Sequence, residues 1–249
     1  DFYRGVEAAG ELLAIRGRVI PSTLSNVTLV GSTVSGETLI GESRVGNSSD
    51  RLRSLTLIPA DSVAHPEAVR AIEDADMVVV GPGSLFTSIV PNLLISGISA
   101  ALEESPALKV YVCNVAEEPA QTEGYSVLDH LNVVRHYGRD GSVDAVIANG
   151  NRPGEETPAG LNFIRVNNPW EDDVILVEAD VIDETDNTST ARHDPVKLSN
   201  AIAEAYRKYR GRRRRLPRVR LNLDSKRPGN GRPVLNGNGE SKPLPVQEK

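Results

Sequence analysis

The chain has one cysteine, one methionine and one tryptophan in 249 residues, and aromatic side chains make up 4% of it. The lone Cys113 excludes an intramolecular disulfide and suits a reducing, cytoplasmic setting. Within KVYVCN it reads as a small buried apolar residue of a central strand rather than a nucleophile. Four scattered histidines, His65, His130, His136 and His193, offer no metal-ligand cluster, so no metal site is expected from side chains alone. No apolar run reaches the length of a transmembrane helix and no signal peptide is visible, which again points to the cytoplasm. The GxSxG elbow, the Walker pattern GxxxxGK[ST] and the dinucleotide pattern GxGxxG are all missing. The catalytic residues therefore stay unknown.

What is present is an aliphatic chain, 39% hydrophobic, of the kind that builds an α/β core from Val, Ile, Leu and Ala. Its net charge of −6 hides an asymmetry. Residues 210–249 hold 12 Lys+Arg and 3 Asp+Glu, a balance of +9, which leaves −15 on residues 1–209. The expected plan is an α/β domain over 1–209 and a basic tail over 210–249. Gly, Pro and Asn dominate that tail from Gly211 on, so disorder is expected there, with an acidic partner as one use for its charge.

The stretch Asp76–Leu94, DMVVVGPGSLFTSIVPNLL, organises the rest. Met77 to Val80 is too short and too β-branched for a helix and reads as a strand of a parallel sheet, buried on both faces. Gly81-Pro82-Gly83 ends it abruptly, and Ser84, Thr87 and Ser88 follow. Ligands of α/β proteins bind beyond the carboxyl ends of such strands, where backbone N–H groups favour anions. The composition of GPGS alone leaves a plain capped turn and a ligand contact equally open.

The remaining pattern fits a Rossmann-like three-layer fold with a mostly parallel sheet. Phe2–Ile15 predicts a helix with Val6, Ala9, Leu12 and Leu13 as its apolar face. Arg16 and Arg18 flank Gly17, and anion contact and solvated surface are both open to them. Val27–Gly31 and Thr38–Glu42 around Ser35-Gly36 predict a small β-hairpin insertion, and Arg53–Ile58 a further strand. His65-Pro66-Glu67 starts a helix, with His65 read as surface structure. Helix is expected over Ile89–Glu104, broken at Pro91 and Gly97. Lys109–Cys113, Asp144–Asn149 and Val174–Ile182 read as strands, and Asn114 sits at a carboxyl end. Ser126 can cap a helix over Val127–Tyr137, and Pro195 opens a last one.

GPGSLFTSIVPNLL, taken with VCNVAEEPAQTEGYSVLDHL, closely resembles the gluconeogenesis-factor (YvcK-type) family, relatives of the CofD-type 2-phospho-L-lactate transferases. The likeness runs from AGELLAIRGRVIPSTL to ARHDPVKLSNAI, most of the chain ahead of the tail. It implies a regulator that binds a nucleotide sugar, such as a UDP-sugar, and links carbon metabolism to envelope synthesis and cell shape. The alternative is a transferase moving a phosphate-linked group from a nucleotide diphosphate, for which Mg2+ would be the accompanying ion. Transferase relatives carry GPSNPxxSI where this chain has GPGSLFTSI, so Gly83 and Ser84 favour the regulator. The ligand-binding residues so implied are Gly81, Gly83, Ser84, Thr87, Asn114, Thr122, Gly124, Tyr125, Asp129 and His130, with Arg16 and Arg18 for charge. A homo-oligomer is compatible with this reading. The family also begins with a strand and a GGGTG-type loop, expected upstream of Asp1 because the chain opens without methionine.

Overall fold

The computed structural model describes residues 2–151, 161–170, 173–183 and 191–215. Four parallel strands, β4 (Met77–Val80), β5 (Leu108–Val112), β6 (Ala145–Asn149) and β7 (Ile175–Ala179), form a sheet in that order. Strand alternation sends Leu108, Val110, Val112, Ala145, Ile147, Ile175 and Val177 to one face, and Tyr111, Val146 and Leu176 to the other. Ala201 and Ala205 of α7 (Pro195–Arg215) close the first face. Leu131 and Val134 of α6 (Val127–Gly138) and Leu102 of α5 (Ser96–Glu104) close the second. The three-layer expectation holds because both faces of β5 and β6 are fully buried.

β4 departs from its expected place. It is an edge strand with Val79 40% exposed, not a strand buried on both faces. Composition reports that a segment is extended and apolar; the order of strands decides which one lies at the rim.

The hairpin belongs to a second sheet, antiparallel in the order β2-β1-β3: β1 (Thr28–Thr33), β2 (Thr38–Ile40) and β3 (Leu52–Ile58). The strand read over Arg53–Ile58 is thus its third member rather than part of the main sheet. Gly36, with φ 93°, makes the turn that joins β1 to β2. α2 (Glu42–Gly46) packs Val45 into the core beneath this sheet. Tyr137 of α6 accepts a hydrogen bond from the Leu55 backbone N–H at 3.1 Å, tying the small sheet to the main body.

The remaining helices adjust the expectations locally. α1 (Phe2–Leu12) stops at Leu12, and Leu12 and Leu13 are 87% and 73% exposed, so the expected apolar face buries nothing there. α3 (Pro66–Glu73) is capped by His65, whose Nδ1 accepts from the Glu67 N–H at 3.2 Å; that histidine is buried rather than superficial. After β4 come a π-helical turn over Leu85–Ile89, then α4 (Val90–Leu93) and α5. The break falls at Leu94-Ile95, because Pro91 and Gly97 each sit in a first turn that tolerates them. A Cβ on Gly97 would also come within 2.6 Å of the Ala64 Cβ. α7 continues through Gly211 to Arg215, past the expected limit, since arginine is a good helix former and one glycine does not end a packed helix. From residue 216 on, the tail lies outside the described residues. Among the described residues no single helix is long and apolar enough to cross a membrane.

Candidate functional site

Beyond the carboxyl ends of β4 and β5 lies an open cleft of about 690 Å³. Its walls include Pro82, Gly83 and Ser84 after β4, Asn114 to Pro119 after β5, and Arg192 and His193 ahead of α7. A second hollow of about 680 Å³ shares Glu117 and Leu161 with it and adds Arg51, Gly124, Tyr125 and Arg165. The two adjoin through these shared residues as one trough across the strand ends.

The first wall is shaped by glycine. Gly81 has φ 86°, and a Cβ there would meet the Val112 carbonyl oxygen at 3.2 Å. A Cβ on Gly83 would stand 3.1 Å from the Ser88 Cβ. Ser84 then starts the π-helical turn: its carbonyl accepts from the N–H groups of both Ser88 (2.9 Å) and Ile89 (3.1 Å). The N–H groups of Leu85 to Thr87 thereby precede any intrahelical acceptor and crowd the loop with donors. Thr87 itself turns toward Gly46 of α2 and does not line the cleft.

The second wall is the loop from Asn114 to Ser126. Thr122 is fully buried, and its Oγ1 accepts from the Glu118 N–H at 2.8 Å, closing the loop on itself. Ser126 and Asp129 make a reciprocal cap for α6: the Asp129 carboxylate accepts from the Ser126 N–H at 2.7 Å. His130 is buried beneath Tyr125, ring edge to ring face at 5.6 Å, with Nδ1 donating to the Ser126 carbonyl at 2.9 Å. Burial pushes its pKa down, so it is a neutral core residue. Asn114, Gly124 and Tyr125 do face the trough. Thr122, Asp129 and His130 instead build the loop that places other groups there.

Those other groups are the ones the sequence reading passed over. Glu118 accepts from the Asn114 side-chain amide at 2.9 Å and from the Ser84 hydroxyl, which joins the two walls. Its Oε2 is buried without a hydrogen-bond partner. Burial raises its pKa, and the bonds from Ser84 and Asn114 pull it partly back. His193, one of the four scattered histidines, lines the cleft with Nε2 donating to the Cys113 carbonyl at 3.2 Å. Arg51 reaches from the small sheet to the Glu123 carbonyl at 3.0 Å. In the sequence these residues lie up to 142 positions apart. Cys113 is buried beside them, with its thiol pushed up to about 12 by burial, which leaves it inert.

Arg16 and Arg18 do not join the trough. Arg16 is exposed, and Arg18 pairs with Glu67 and Tyr3 at the start of α3. Among the described residues, the cationic side chains on the trough are Arg51, Arg165 and Arg192. A metal cage made by the protein alone does not fit, since no group of three His, Cys, Asp or Glu converges among the described residues. A magnesium ion carried by a diphosphate needs only one or two carboxylates, and Glu118, with its unpartnered Oε2, fits that role.

Known proteins resemble this chain in sequence and in fold. Residues 1–186 match the family model described as 2-phospho-L-lactate transferase CofD. A candidate gluconeogenesis factor of Nostoc sp. is 36% identical over 219 residues, covering 83% of this chain and 47% of that protein. The gluconeogenesis factor of Halalkalibacterium halodurans is 37% identical over 150 residues, covering 60% of this chain and 47% of that protein. A crystal structure of a Bacillus halodurans protein superposes with a TM-score of 0.76 at 32% identity, covering 82% of this chain and 67% of that one. The chain spans about half the length of the two curated relatives.

Proposed function

The chain belongs to the CofD family, alongside its gluconeogenesis-factor members, and from that premise we propose that it binds a nucleotide sugar, such as a UDP-sugar, as a regulator in the cytoplasm. Control of carbon use and of cell shape would follow from occupancy of the trough. The observation that carries the reading is the Gly81-Pro82-Gly83-Ser84 loop at the carboxyl end of β4, facing Asn114 and Glu118 across the cleft. Backbone donors and the absence of a Cβ at Gly83 suit a diphosphate that must approach closely. The adjoining hollow, with Tyr125, Arg51 and Arg165, offers a ring face and positive charge to the rest of such a ligand.

A transferase is supported by one observation, the unpartnered Oε2 of Glu118. With a diphosphate bound, Mg2+ would supply charge neutralisation there, and Glu118 would orient it. Neither reading needs Cys113 or His130.

Calorimetry of the full-length protein with UDP-N-acetylglucosamine, UDP-glucose and UDP tests the proposal. Ser84→Ala should weaken binding about ten- to a hundredfold, the loss of one bond to a charged group of roughly 1.5–3 kcal/mol. Gly83→Val should weaken it more, because its side chain is driven against Ser88 and into the ligand path. Equal affinity in wild type and Gly83→Val would remove this loop from the site. Release of free nucleotide during titration would favour the transferase.

A further inference from the structure

Three polar side chains on the cleft beyond β4 and β5 have their hydrogen-bond roles fixed by what they already touch. Asn114 must turn its amide N–H toward Glu118, 2.9 Å away, because a carboxylate oxygen accepts. Its Oδ1 is the atom left over, and it makes no hydrogen bond among the described residues. His193 must carry its proton on Nε2, because the Cys113 carbonyl at 3.2 Å can only accept. Burial pushes the pKa of this imidazole down, so the ring is neutral and Nδ1 keeps its lone pair. That nitrogen, too, makes no hydrogen bond among the described residues. The third atom is Glu118 Oε2, buried without a partner. All three residues line one cleft, together with Glu117 and Arg192.

A wall of acceptors is unfavourable to phosphate oxygens and calls for a part of the ligand that brings donors. We infer that the sugar of the nucleotide sugar lies in this cleft, donating hydroxyls to His193 Nδ1 and Asn114 Oδ1. The inference rests on the reading of the trough given above and fixes the direction of the ligand in it. A uracil ring carries a single N–H on its pairing edge and leaves most of these acceptors unpaired, whereas a hexose carries several hydroxyls. The diphosphate keeps the backbone donors of the Gly81–Ser84 loop. The nucleoside is left to the second hollow, where Tyr125 offers a ring face beside Arg51 and Arg165. His193 thus becomes a specificity-determining contact: its neutral ring rewards a ligand that has a hydroxyl to give.

Calorimetry of the full-length chain with UDP-glucose and with UDP, which lacks the sugar, tests this. Wild type should bind UDP-glucose more tightly than UDP. His193→Gln keeps an amide N–H for the Cys113 carbonyl but has no acceptor at the Nδ1 position. It should reduce the preference for UDP-glucose over UDP about two- to tenfold, the worth of one neutral hydrogen bond. Wild type labelled with nitrogen-15 in histidine gives a readout that needs no substitution. Its unprotonated His193 Nδ1 resonance should move upfield when UDP-glucose is added and respond less to UDP. Three results would overturn the inference while leaving nucleotide binding intact: an undiminished preference in His193→Gln, an Nδ1 resonance that UDP-glucose leaves in place, or an effect of the substitution confined to buffer containing Mg2+. Wild type that binds neither ligand would instead overturn the reading of the trough, and this inference with it.

Discussion

Glu118 is held in place by its two walls and is uncomfortable there. Its pKa is raised because burial disfavours the charged form more than Ser84 and Asn114 stabilise it. The folded protein therefore holds this proton more tightly than the unfolded chain does. That contribution favours folding at low pH and is lost as pH rises from the ordinary carboxylate value, about 4.3, toward the raised folded value. Glu118→Gln should accordingly raise the melting temperature at pH 7 and flatten its pH dependence across that window, followed by calorimetric melts. The same substitution should weaken any Mg2+-dependent part of nucleotide binding. A variant that is less stable at pH 7 would show that the carboxylate is compensated in the fold. His130 presents the opposite sign: its depressed pKa makes it harder to protonate in the fold than in the unfolded chain, so its contribution is lost as pH falls from about 6.5 toward the lower folded value.

Among the elements, α6 carries more than its share of the site. Its amino end is fastened by the Ser126–Asp129 box, which sets the Tyr125 loop, and its carboxyl end holds β3 through Tyr137. The Leu55 N–H that Tyr137 satisfies is buried, and the phenol is pushed up to about 12 chiefly by its own burial. Tyr137→Phe leaves that N–H unpaired and should cost about 1–3 kcal/mol of stability, measured by urea unfolding. Because β3 begins beside Arg51, the variant should also loosen the Arg51 contact with Glu123 and weaken ligand binding at the second hollow. A loss of stability below half a kcal/mol would mean that water replaces the phenol.

For the whole molecule, the trough joins the main sheet to the small one. Gln121 donates to the Gly46 carbonyl at 2.9 Å and Arg51 to that of Glu123, so the β5 loop touches both. A ligand lying along the trough holds these parts together and favours the folded state by mass action. At a concentration a hundred times Kd, a UDP-sugar should stabilise the protein by about 2.7 kcal/mol, visible as an upward shift of the melting temperature. UDP-N-acetylglucosamine that binds by calorimetry yet leaves the melt unchanged would place its site on a segment that unfolds independently.

Local sequence determined the strands β4 to β7, the caps of α3 and α6, and the loop after β4. Apolar runs of β-branched residues, Ser126 three places before Asp129, and Gly-Pro-Gly after Val80 each act within a few residues. That information also reached as far as the parallel sheet and the ligand crevice at its strand ends, since an aliphatic run that ends in glycine has few other uses in an α/β chain. Tertiary structure decided the rest. Strand order put β4 at the rim, paired Leu52–Ile58 with β1, and carried Arg18 to Glu67 instead of the cleft. It also brought His193 to the carbonyl of Cys113, whereas Thr122, Asp129 and His130 serve the loop through bonds only three or four residues long. The physical reason is that a side chain's role depends on which oxygens and faces surround it, and those arrive from residues as far as 80 positions away.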